Sequence, residues 1–398
     1  MTTKVQEPPS HVENRGKPEM PPTALKAKLE HRFNSDLLLS ESDREIAKTA
    51  YPEIYHVIDH PDLRKEFADY DTIANRSKVR AQRVGFAAVV LATVALFFSA
   101  ITPLLLVLIP SVPPWVERLF AYAEACGLIG AAIAAGGILI GGFKKEWLQA
   151  RMMAEVIRLW HFQSFICRSN EIDASCNAST GGQSTFLLAR EKRFKAFIHD
   201  WSSAPDSRLE ELIEIPEAGY QLLHEETGRF GPNSAVAEKV FAAYRQLRFR
   251  QQVDYANHKL KKTPDKTWTA LGWPVSVLQR RIEALASFCL IGSLLISLLI
   301  VIGYFAEWHA MPHAVLACGI IVLLIFNMAI RAVQDGLAVP EELQRYNDYG
   351  GKIRYLLTRF DATQDPSIKF HLMEEMERAA LQELKGFLRA FSEAHFLV

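Results

Sequence analysis

The stretch VGFAAVVLATVALFFSAITPLLLVLIP, residues 84–110, decides the fold class. It holds no charged residue, and the uncharged run continues to Val116. A helix needs about 20 apolar residues to cross a bilayer. Three further uncharged runs follow: Ala125 to Phe143, Ala284 to Ala306, and Ala314 to Ile330. They come in two pairs, separated by the polar region 144–283. The expectation is an all-α membrane protein with two transmembrane helical hairpins, four spans in all. Each hairpin is followed by cytosolic helices, and these form a bundle. The chain divides into a Pro-rich disordered tail (1–30), cytosolic helices (31–83), hairpin one (84–143), a cytosolic helical region (144–283), hairpin two (284–333) and C-terminal cytosolic helices (334–398).

Outward from the spans, charge sets the orientation. Arg76, Lys78, Arg80 and Arg83 precede the first run, and Lys144 and Lys145 follow the second. Arg280 and Arg281 precede the third, and Arg331 follows the fourth. The short segments inside the pairs carry Glu117, Arg118 and Glu307. The positive-inside rule puts both termini and the central region in the cytoplasm. The N-terminal residues have no apolar h-region, so no signal peptide is expected there. Basic residues total 45 and acidic residues 45, so overall charge selects no partner. The basic stretch around Arg245, Arg248 and Arg250 carries no nucleic-acid-binding module, and nucleic acid is not an expected ligand. Five cysteines without metal-ligand spacing read as free thiols in a reducing compartment.

The cytosolic parts read as helices. Ser42-Asp43-Arg44-Glu45 has the form of a capping box. The second span continues straight into an amphipathic helix, Lys144 to Arg168, and Asn177 to Thr185 reads as a polar loop. Val236, Val240, Tyr244 and Leu247 recur at helical spacing. Two helices follow hairpin two, with Asp365-Pro366 between them. The second span carries small residues, Gly127, Gly130, Ala131, Ala134 and Ala135, at spacings that let another backbone approach. Packing against the first span is the favoured role of Gly130 and Ala134. Gly137 to Gly142 before Lys144 is not a phosphate loop, because no Lys-Ser/Thr follows the second glycine.

An internal repeat is visible. Glu155-Val-Ile-Arg158 begins eleven residues past Lys144, and Glu342-Leu-Gln-Arg345 begins eleven past Arg331. Glu and Arg three apart share a helix face. An intrahelical ion pair and a bridge to other helices are equally good readings. Within the spans, Glu124 near the outer end of span two and Asn327 near the inner end of span four are the polar candidates. Ser287, Ser293 and Ser297 line one side of span three, where hydrogen bonding between helices and lining of a water path both fit. No nucleophile, base and orienter converge, and no His or Cys set has metal-ligand spacing. The expectation is a protein that is not an enzyme, with no cofactor and no metal.

The segment from Lys144 to Arg158, KKEWLQARMMAEVIR, resembles the SLATT superfamily, bacterial domains with two transmembrane helices followed by a cytosolic helix. The tryptophan, arginine and Glu-x-x-Arg of its signature match Trp147, Arg151, Glu155 and Arg158. The resemblance covers about residues 30 to 200, and extends to the second half through layout and through Glu342 and Arg345. It implies a pore-forming effector of a bacterial defence or conflict system driven by nucleotide signals. This chain has no attached sensing domain, so a separate sensor or signalling protein is an implied partner. The resulting expectation is an oligomeric channel or pore-type effector in the inner membrane. A membrane-anchored scaffold for cytosolic partners is the first alternative, and a repeat-built transporter the second.

Overall fold

The computed structural model describes residues 35–108, 113–140, 142–177, 180–214, 223–224, 230, 234–261, 274–306 and 313–396, without the side chains of 106–108, 117, 133–140 and 180. The tail reading of 1–30 and the Ala134 side chain lie outside these. Among the described residues every regular element is a helix. Three helices among the described residues are long and apolar enough to cross a membrane.

Helix α1 (Glu41–Ala50) starts two residues earlier than the Ser42 box suggests. Ser40 is the cap: its Oγ accepts the Asp43 N–H at 3.1 Å and donates to Asp43 Oδ2 at 2.6 Å. Helix α2 (Pro61–Leu108) runs 48 residues, about 72 Å at 1.5 Å per residue. Pro61 suits a first helical position, where no amide hydrogen bond is lost. His60 Nδ1 accepts the Leu63 N–H at 3.3 Å, which fixes the start. The segment from Pro61 to Arg83 therefore continues about 35 Å beyond the apolar run.

Helix α3 (Pro114–Ile140) packs along α2, and α4 (Phe143–Cys167) packs on the polar part of α2. The expected straight passage from α3 into α4 is incorrect. Gly142 sits at φ 64°, in the left-handed region that only glycine adopts without strain, and breaks the helix. The amphipathic reading of α4 is also corrected. Met152, Ala154, Ile157 and Phe162 point in different directions around the helix and are all fully buried. A helix buried on all sides is a core helix, here with its charges paired inside. Around it lie α5 (Ser169–Asn177), α6 (Thr180–Ser203) and α7 (Pro205–Glu214). The polar loop read at Asn177 to Thr185 is shorter than expected, since α6 already begins at Thr180.

Helix α8 (Ala235–Tyr244), a π-helical turn (Arg245–Arg250) and α9 (Gln251–Lys259) follow. The wide turn carries Leu247, Arg248 and Phe249, all three buried. Helices α10 (Val275–Phe305) and α11 (His313–Gly336) pack together, and α11 also packs on α2, where the Cys318 thiol reaches the Ala100 carbonyl at 3.7 Å. After α11, Ala338 takes φ 47° and α12 (Val339–Ala362) begins. A left-handed alanine costs about 1–2 kcal/mol, and burial of its methyl group in an apolar cluster opposes that. Asp365 caps α13 (Pro366–Glu393), accepting the Ser367 N–H at 2.8 Å.

The polar half has a dense aromatic core. Trp160, Phe162, Phe165, Phe241, Tyr244, Phe249 and Phe370 are buried within one cluster. The apolar half contrasts with it: only 22%, 17% and 17% of the most apolar windows of the three long helices are buried, so most of their surface is open to lipid or to other chains.

Candidate functional site

Five helices meet at one cavity of about 120 Å³. Helix α2 supplies Asn75 and Lys78; α4 supplies Trp147, Arg151 and Glu155; α9 supplies Tyr255 and Lys259; α12 supplies Glu342, Arg345 and Tyr346; α13 supplies Glu383 and Phe387. Five of the six residues singled out by the signature and its second copy thus wall one space. On α2 the cavity lies six to ten residues before Val84, roughly 9–15 Å from the apolar run.

The carboxylates of the wall are paired. Arg345 contacts Glu383 and reaches Glu342 Oε1 at 3.3 Å, so α12 is tied to α13. Its guanidinium lies 4.5 Å from the Tyr346 ring centre. Arg151 bonds Asp71 Oδ1 at 3.3 Å and contacts Glu155. Glu155 is held by Arg158 at 2.6 Å, and Arg158 Nε lies 3.0 Å from Asp36 Oδ2 at the bottom of the bundle. Asp71, Arg151, Glu155, Arg158 and Asp36 therefore form one chain of alternating charge. Both readings of the Glu-x-x-Arg motif hold, because each pair bonds within its helix and each arginine also reaches another segment.

Two cations differ from these. The Lys78 ammonium lies 5.6 Å from the Trp147 ring centre, and that of Lys259 lies 5.5 Å and 5.9 Å from the rings of Tyr255 and Tyr346. Neither forms a carboxylate pair among the described residues. Burial, reinforced by Lys259, Arg151 and Arg345 and opposed by Glu342, pulls Lys78 down to about 8. Burial alone would push Glu155 up, but Arg151 and Arg158 overcome it and hold the carboxyl at about 2. Glu383 goes the other way: burial and the nearby Glu155 push its carboxyl up against the pull of Arg345 and Arg151. The arrangement can bind charge and tie helices together.

Below the cavity sits a closed pair that periodicity alone does not single out. Arg248 bonds Glu377 twice, at 2.9 Å and 2.8 Å, and the Tyr244 hydroxyl donates to the same carboxylate at 2.6 Å. Both charged side chains are almost fully buried. The available signal was a charge on an apolar stripe: Arg248 falls four residues after Tyr244, and Glu377 four after Met373. Lys78, Tyr255, Lys259, Tyr346 and Glu383 had no comparable signal, because only the fold brings them together.

The C-terminal segment binds the base of both apolar pairs. The Lys144 ammonium donates to the carbonyls of Ser392 and Ala394 at 2.8 Å and 2.7 Å. Trp147 packs edge-on against Phe387 and Phe391. The Phe396 ring lies where a Cβ on either Gly85 or Gly336 would sit, 2.3 Å away in both cases.

The candidates on the apolar helices are dispersed. Glu124 is half-buried on α3. A Cβ on Gly130 would meet Leu91 at 2.9 Å, and one on Gly127 would meet the Leu91 carbonyl at 3.0 Å, so Gly127 and Gly130 pack on α2 as expected. Ser293 and Ser297 donate to the Leu290 and Ser293 carbonyls of their own helix, at 2.8 Å each. That back-bonding differs from both expected uses, and Ser287 is exposed. Asn327 keeps a buried Oδ1 without a hydrogen-bond partner. No protein-family model, curated protein or solved structure matches this chain.

Proposed function

We propose that the protein is an oligomeric channel or pore-forming effector of the bacterial inner membrane, with Pro114–Ile140 as a fourth span and both termini in the cytoplasm. One observation carries the reading: the SLATT-like residues Trp147, Arg151 and Glu155 and their second-copy counterparts Glu342 and Arg345 wall one cavity at the base of the apolar helices. An event in the cytosolic bundle at that point reaches both hairpins, through α2 and through α12. The open apolar surface of the long helices supports assembly of several subunits. Exposed Trp115 and Tyr304, at the ends of α3 and α10 away from the cavity, fit an aromatic belt at the outer interface. Few polar groups line the spans, so a wet path within one subunit is disfavoured and a path between subunits is the consistent arrangement.

Overproduction should depolarise the inner membrane and arrest growth, read with a potential-sensitive dye. Glu155→Ala with Arg158→Ala should change that toxicity while membrane insertion persists. Unchanged potential at high expression would sink the reading. The back-bonded serines favour a second reading, a membrane-anchored scaffold. Under it the protein stays monomeric, leaves the potential intact and co-purifies with a defined cytosolic partner.

A further inference from the structure

The cavity walls carry four cations, Lys78, Arg151, Lys259 and Arg345, against three carboxylates, Glu155, Glu342 and Glu383. Each carboxylate is already engaged by a guanidinium. What remains is two ammonium groups from different helices facing a polar space that holds several waters or one tetrahedral oxyanion. Arg345 adds a buried Nε–H without a hydrogen-bond partner. Left empty, the cavity sets Lys78 and Lys259 against one another beside aromatic rings, with Glu342 near Lys78 but already engaged by Arg345.

We propose that this cavity binds a phosphate-class oxyanion, held by the ammonium groups of Lys78 and Lys259 with Arg345 behind them. A doubly charged anion would neutralise the two lysines and meet several donors at once, the pattern in which charge-assisted hydrogen bonds are strongest. It would also tie α2 and α9 to α12, joining the extension of the first span to the second copy of the motif. The shared chemistry is a phosphate group, and its source is either free in solution or a lipid headgroup above the cavity. The inference does not depend on conduction, since anion binding and pore opening are read by separate assays.

The test uses the full chain in phosphatidylcholine nanodiscs. Sodium phosphate should raise the unfolding midpoint, and sodium chloride at equal ionic strength should not. Lys78→Gln with Lys259→Gln should lose the phosphate effect, with affinity reduced about 10- to 100-fold or more. Without anion that variant should be at least as stable as the parent, because it relieves repulsion. Lys259→Gln alone provides a second, milder check. A rise of the midpoint in discs containing phosphatidic acid, with no further gain from free phosphate, assigns the headgroup as the source. Gain from free phosphate alone assigns the solution anion. Equal responses to phosphate and chloride without an effect of phosphatidic acid, or a phosphate effect retained by the double variant, would overturn the site.

Discussion

Glu155–Arg158 and Glu342–Arg345 share a motif and a cavity, and differ in where the arginine goes. The first pair lies thirteen residues past its helix break at Gly142, deep in a core helix, and Arg158 ends against the fully buried Asp36. The second lies four residues past its break at Ala338, in the first turn of α12, beside the cavity. Glu155 walls the same cavity, but its Arg158 turns away into the core to meet Asp36, whereas both Glu342 and Arg345 stand on the wall of the polar space. The difference teaches that the repeat is one of sequence spacing and layout, while helix breaks at different distances have given the copies different work.

The sharpest way to break this comparison is to remove each arginine. Arg158→Ala leaves Asp36 buried without its cation, and should cost about 3–5 kcal/mol of stability. Denaturant unfolding followed by Trp160 fluorescence reads it. Adding Asp36→Asn should recover part of the loss, because burial pushes the Asp36 carboxyl up and so favours a neutral group there. Arg345→Ala should cost less, about 1.5–3 kcal/mol, because its carboxylates border a space that water can enter. Equal losses at the two sites would mean that the copies are equivalent after all.

Smaller effects test the packing that brings the two halves together. Gly336→Ala would set a methyl group against the Phe396 ring, and overpacking of this kind costs about 1–3 kcal/mol. Phe396→Ala in the same chain should relieve it, as should the same partner change with Gly85→Ala. Additive losses in these double variants would show that the ring does not bridge α2 and α11. In the membrane part, Gly127→Leu should disrupt assembly more than Gly130→Leu. Backbone stands opposite Gly127, whereas the movable end of Leu91 stands opposite Gly130.

The smallest effect is a pH slope confined to the aromatic core of the polar half. Burial lowers His60 to about 2, His161 to about 3 and His224 to about 4. These rings stay neutral in the folded state, while the unfolded chain takes up protons below the ordinary value of 6.5. Their contribution is complete above 6.5 and is lost as pH falls toward the folded values. The limiting slope is about 1.4 kcal/mol per pH unit for each ring. The stability from the paired Glu155 is complete above about 4.5 and is lost only below it, so between 6.5 and 4.5 the slope separates the histidines from that carboxylate. His161→Phe should remove one ring's share, and a slope it leaves untouched would refute that assignment.

Much of this architecture was legible in the residues. Uncharged runs marked the long helices because a bilayer demands them, and the Glu-x-x-Arg spacing marked α4 and α12. The break at Gly142 was not read, since glycines in an apolar run also serve close packing, and only the backbone angle separates the two uses. The burial of α4 on all sides was missed because Arg151, Glu155 and Arg158 looked like a solvated face, and their partners, Asp36 and Asp71, lie far away in sequence. The cavity could not be read at all. Lys78, Lys259 and Glu383 are ordinary charges on three separate helices, and tertiary packing alone turns them toward one another.

The measurement that bears most directly on the central claim is ion leakage from liposomes holding the purified full-length chain. Conduction by an assembly predicts leakage that rises more steeply than linearly with protein density and changes in the Glu155/Arg158 double variant. Intact gradients at every density, with the chain inserted and monomeric, would contradict the account.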